Sequence, residues 1–221
     1  MNTIVSQTAH ATVKPTAAFM LRHPAHWLAL GFGSGLSPKA PGTVGTLWAW
    51  VAFLVLSQWL GASGWAALLV VSLLLGQWAC TVTAQHMGVA DPGAIVWDEI
   101  VAFWLVLWLL MPAPWWGQLA AFALFRYFDA AKPGPVGWAD QRFKLQAGQA
   151  VQTVRAIGWR QGFGILFDDL VAAACTLFCV ALALSLWGLF WKAWTRKCWC
   201  WPMPCVHAAG AWPRQKAAPA V

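Results

Sequence analysis

Asp98 and Glu99 stand side by side in AIVWDEIVAFWLVLWLLM (residues 94 to 111), and Asp168 and Asp169 do so in GFGILFDDLVAA (residues 162 to 173). Each pair lies near the start of an otherwise apolar run. A fifth carboxylate, Asp129, sits in FRYFDAAKPGP with Arg126 three residues before it and Lys132 three residues after. Ionisable groups in such segments are costly and usually functional, and the short stems of Asp and Glu leave little reach for snorkelling to water. Carboxylates drawn together repel one another unless a cation sits among them. An all-oxygen set selects a hard ion such as Mg2+, which is normally held by one or two carboxylates, waters and phosphate oxygens. Asp98, Glu99, Asp129, Asp168 and Asp169 are therefore the candidate metal ligands. Arg126 and Lys132 are the candidate groups for neutralising phosphate charge.

A second element, GFGSGLSPKAPGTVGT (residues 31 to 46), combines five glycines, two prolines, four hydroxyls and Lys39 just before an apolar run. It can present backbone N–H groups at a helix N-terminus, where phosphate is favoured. Its candidate substrate-binding residues are Gly33, Ser37, Lys39, Gly42, Thr43 and Thr46. The candidate catalytic set is Asp129, Asp168 and Asp169 with Arg126 and Lys132. The nucleophile is either metal-activated water, the first choice, or an aspartyl carboxylate at Asp129, Asp168 or Asp169. Cysteine and histidine chemistry finds no support: no Cys is followed six positions later by Arg, and the five histidines lie outside the acidic clusters.

These groups need elements to hold them. Of 221 residues 60% are hydrophobic and 10% charged, with 19 tryptophans, which departs far from a soluble domain of this length. Apolar runs at residues 44 to 60, 64 to 83, 94 to 111, 117 to 128 and 165 to 191 predict an all-α, multi-helical integral membrane protein with four or five membrane-associated helices. Basic residues gather before the first run and between the fourth and last, which predicts that those connections are cytoplasmic. Threading the chain from that side brings the Gly-rich stretch, both acidic pairs, Arg126 and Asp129 to one cytoplasmic face. Residues 1 to 19 read as a loose leader without signal-peptide organisation, 20 to 192 as one helical domain, and 193 to 221 as a disordered tail. Cys80, Cys175 and Cys179 fall in apolar runs as small hydrophobes; Cys198, Cys200, Cys205 and His207 depart from zinc-knuckle spacing. The expected partner is the bilayer, not nucleic acid, and the oligomeric state is left open.

Four stretches together resemble the phosphatidylglycerophosphatase A family: GFGSGLSPKAPGTVGT, DPGAIVWDEIVAFW (91 to 104), FRYFDAAKPGPV (125 to 136) and GFGILFDDLVAA. The resemblance spans roughly residues 20 to 190. It implies an all-helical, magnesium-dependent phosphatase of the bacterial inner membrane that converts phosphatidylglycerophosphate to phosphatidylglycerol, with its site on the cytoplasmic face. Ala102 replaces a usual Gly, Gly134 a usual Trp, and Gln161 one Gly of a Gly-Gly step, while residues 143 to 161 form an insertion. The contrasting reading is a proton- or cation-coupled transporter that uses intramembrane carboxylates. A transporter should carry polar groups through the bilayer midplane, whereas these acids cluster toward one end of their segments.

Overall fold

The computed structural model describes residues 13 to 89, 91 to 143 and 158 to 198, and every regular element among them is helical. The elements are α1 (Ala17–Met20), α2 (Pro24–Ala29), a 3-10 turn (Gly31–Leu36), α3 (Pro41–Leu56), α4 (Ala62–Met87), α5 (Trp97–Leu110), α6 (Trp115–Ala131), α7 (Pro135–Phe143) and α8 (Trp159–Cys198). The helices α3, α4, α5, α6 and α8 cover the five apolar runs; α1, α2 and α7 are short additions that hydropathy does not mark. The tail cysteines Cys200 and Cys205 with His207, and most of the insertion and leader, lie outside the described residues.

The chain forms two compact units, Met1–Ala181 and Leu182–Val221. In the second, the described part is the remainder of α8, whose residues 182 to 187 are exposed. Two helical stretches are long and apolar enough to cross a membrane, Ala62–Met87 and Gly162–Trp187. The 16-residue α3 is apolar but shorter. At ~1.5 Å per residue, the 14-residue α5 reaches only about 21 Å, short of a bilayer core of about 30 Å.

Within the first unit α5 is the central helix. It packs against α3, α4 and α6, and Trp97, Ile100, Val101, Ala102, Phe103, Trp104, Val106 and Leu107 are buried. A helix apolar on all sides is stable only when surrounded, by protein or by lipid. Ala102 is fully buried there, so the extra methyl at this position is absorbed by the core.

Tryptophan N–H groups tie the helices together, which gives the unusual Trp content a physical role. Trp97 Nε1 donates to the Ser72 carbonyl of α4 at 3.0 Å, and Trp104 Nε1 to the Ala49 carbonyl of α3 at 2.9 Å. Trp50 Nε1 donates to Gln118 Oε1, joining α3 to α6 at 2.7 Å. A buried indole brings a large apolar surface and one donor, and each of these donors has a partner.

The histidines form a separate brace. His26 Nδ1 lies 2.9 Å from the Phe19 carbonyl, and His26 Nε2 lies 2.8 Å from His86 Nδ1. A carbonyl only accepts, so His26 Nδ1 donates and, in the neutral ring, Nε2 accepts from His86. Burial holds His26 below its ordinary pKa; the Phe19 carbonyl opposes this, and His86, His23 and Arg22 add repulsion. Below the ordinary value of about 6.5 the unfolded chain therefore binds more protons than the folded one. Stability is expected to be level above that pH and to fall as pH drops from there through the folded value. Thermal melts of solubilised protein between pH 8 and 5 should show this slope, and His26→Asn, which keeps a donor toward Phe19, should flatten it. The same slope in both proteins would refute the assignment.

Candidate active site

Helix starts and stops deliver the acidic groups. α5 begins at Trp97, so Asp98 and Glu99 occupy its first turn, where the helix dipole favours negative charge. Their presence in an apolar segment follows from that position: they are terminal residues, not mid-helix intrusions. Gly35 helps set the approach, because a Cβ there would collide with the Ala94 carbonyl just before α5. α6 ends at Ala131, followed by Lys132 in the left-handed conformation and then Pro133, which cannot continue the helix. Arg126 and Asp129 thus sit in the last turns of α6, one helical step apart.

Arg126 is the hub. Its Nη1 donates to Asp129 Oδ2 at 2.5 Å, to Glu99 Oε1 at 3.1 Å and to Thr46 Oγ1 at 3.4 Å. Thr46 in turn donates to the Gly42 carbonyl at 2.8 Å. Gly42 is required by space: a Cβ would run into Glu99 Oε1 and press on Arg126 Nη2. Arg126 Nε is buried without a hydrogen-bond partner among the described residues. Two carboxylates therefore fix the guanidinium while one of its donors stays available.

Lys132 forms the second node. Its Nζ lies 2.5 Å from Asp140 Oδ1 of α7 and 2.7 Å from Asp168 Oδ2 of α8. The two nodes adjoin electrostatically. Asp169 lies within interaction range of Asp129, Asp98, Asp168 and Glu99, and Asp98 within range of Glu99 and Asp168. The five acids singled out in the sequence are therefore electrostatically linked, and Asp140 joins them through its ion pair with Lys132. Asp140 escaped the sequence reading because it stands alone in a polar connection, and only the fold of α7 brings it to Lys132.

The Gly-rich stretch divides. Gly42 and Thr46 belong to the Arg126 node, and α3 starts behind Ala40 without a side-chain cap. Ser37 donates to the Lys39 carbonyl at 2.8 Å, and Lys39 is exposed. A Cβ at Gly33 would meet Met20, and Thr43 is half-buried.

Six carboxylates face Arg126 and Lys132 in a largely buried place, an excess of acid that either protonation of some carboxyls or a further cation would relieve. Glu99 Oε2 and Asp169 Oδ2 are buried without a hydrogen-bond partner among the described residues. No group of three or more His, Cys, Asp or Glu side chains among the described residues is arranged to hold a metal by itself. Magnesium asks for less, since waters and substrate phosphate oxygens complete its shell. The donor set fits that ion in chemistry: oxygen only, in excess, with orphaned acceptors.

Fold and site together define a helical protein with two helices long and apolar enough to cross a membrane and a largely buried acid–base centre. The family model for phosphatidylglycerophosphatase A matches residues 27–184, and the chain belongs to that family. It is 38% identical over 175 residues to phosphatidylglycerophosphatase A of Haemophilus influenzae, covering 79% of this chain and 97% of that one. It is 37% identical over 152 residues to phosphatidylglycerophosphatase A of Escherichia coli, covering 69% of this chain and 78% of that one. No solved structure matches the chain.

Proposed function

We propose that this chain is a lipid phosphatase that hydrolyses the terminal phosphomonoester of phosphatidylglycerophosphate, releasing phosphatidylglycerol and inorganic phosphate. The observation that carries the reading is the Arg126 guanidinium, held by Glu99 and Asp129 with Nε left unpartnered beside carboxylates with orphaned oxygens. Membership of the family, and the names of its relatives, support the substrate.

Arg126 and Lys132 bind the phosphate oxygens and offset the charge that grows on them as the P–O bond to the lipid breaks. Asp129 keeps Arg126 oriented, and Asp168 and Asp140 do the same for Lys132. Glu99 and Asp169 are the residues that would hold magnesium, and the bound ion would supply further charge neutralisation at phosphate. A carboxylate of the cluster takes the proton of the attacking water. Attack by Asp129, Asp168 or Asp169 itself is the alternative route to the same products. We place the site at the cytoplasmic face of the bacterial inner membrane, with four or five helices in the bilayer, because the basic connections favour that side. The position of Asp98, Glu99 and Asp129 at helix ends favours an interfacial enzyme over a transport path.

Purified protein supplied with phosphatidylglycerophosphate should release phosphate when magnesium is present. Excess chelator should abolish release and added magnesium restore it, because the acids cannot all stay ionised at close range without the ion. No release under any divalent condition overturns the function, and full activity in chelator overturns the metal assignment alone.

A further inference from the structure

An apolar groove of about 790 Å³ opens between the end of α6, the start of α7 and one face of α8. Its walls include Phe128, Pro133, Phe167, Leu170, Ala174 and Phe178. The placement of these residues is not arbitrary: Phe128 adjoins Asp129, Pro133 adjoins Lys132, and Phe167 and Leu170 bracket Asp168 and Asp169. One end of the groove is therefore built from the chain neighbours of the acid–base centre. The other end, at Phe178 and Cys179, lies along α8 within the candidate membrane span Gly162–Trp187.

From Phe167 to Cys179 the groove follows α8 for about 18 Å at ~1.5 Å per residue. That matches the depth of one bilayer leaflet, about half of a ~30 Å hydrocarbon core. The volume is also in the range of pockets that take small molecules, about 300 to 1,000 Å³.

We propose that this groove seats an acyl chain of the same lipid whose phosphate reaches Arg126 and Lys132. The inference rests on the phosphatase reading above and deepens it: a charged end and an apolar trough fixed on consecutive residues recognise an amphiphilic phosphomonoester as one object. Binding energy from the chain, remote from the reacting phosphorus, then serves to position the headgroup. Specificity follows, since a soluble phosphomonoester fills only the polar end.

Two experiments test this. In mixed micelles at fixed surface fraction, kcat/KM for dihexadecanoyl phosphatidylglycerophosphate should exceed that for the dihexanoyl lipid by about tenfold or more, because each buried methylene adds affinity. Ala174→Trp and the milder Ala174→Leu should fill the trough and shrink that ratio toward one. Val70→Trp, on an exposed part of α4, should keep it. The second experiment uses phosphatidylglycerophosphate with a diazirine near the acyl terminus, on an Asp129→Asn background that slows turnover. Adducts should concentrate between Phe167 and Cys179, at several times the level given by phosphatidylcholine carrying the same diazirine. Equal labelling by the two lipids, adducts elsewhere, or a chain-length ratio unchanged in both Ala174 variants would mean that α8 merely faces bulk lipid, and overturns the groove alone. A wild-type protein that hydrolyses neither lipid overturns the phosphatase reading and the groove with it.

Discussion

Replacing Asp129 by Asn should lower kcat by about two orders of magnitude or more while the protein stays folded, as losses of transition-state electrostatics commonly do. The substitution keeps the shape of the side chain and removes its charge. Asp129 is buried, accepts from Arg126 Nη1 at 2.5 Å and lies within electrostatic reach of Asp169 and Glu99. An amide there holds the guanidinium less firmly and cannot receive a proton. The ion pair with Glu99 survives, so phosphate binding should be affected less than turnover. Steady-state kinetics in lipid micelles read the two separately. Normal kcat in a folded Asp129→Asn protein would reduce the pair to a structural link in α6.

Arg126→Ala should act on both parameters. The guanidinium is expected to hold phosphate oxygens in ground and transition states alike, so KM should rise about tenfold or more and kcat should also fall, with magnesium dependence retained. Arg126→Lys should not restore activity, because one ammonium cannot bridge Glu99, Asp129 and Thr46 and still offer a directed donor to substrate. Removing Arg126 also leaves two largely buried carboxylates without their cation, which by itself destabilises by roughly 3 kcal/mol or more. A thermal melt must therefore accompany the kinetics. Wild-type KM and kcat in a folded Arg126→Ala protein would exclude the residue from phosphate binding.

What the sequence determined by itself is what local geometry and composition dictate. Helical structure follows from an apolar chain whose backbone groups need partners within the segment. The meeting of Arg126 and Asp129 follows from three-residue spacing near a helix end, and the end itself from Pro133. The glycine at residue 42 was legible as part of a phosphate-type loop, though not as the seat beneath Glu99 and Arg126. The tertiary structure alone decided that Glu99 and not Asp98 takes Arg126, that Asp140 joins Lys132 to Asp168, and that α5 is enclosed by its neighbours. The reason is physical. Hydrophobicity is nearly uniform round α3 and α4, so it does not say whether a face meets lipid or protein, and ion pairs between distant segments are fixed by packing that no local spacing encodes.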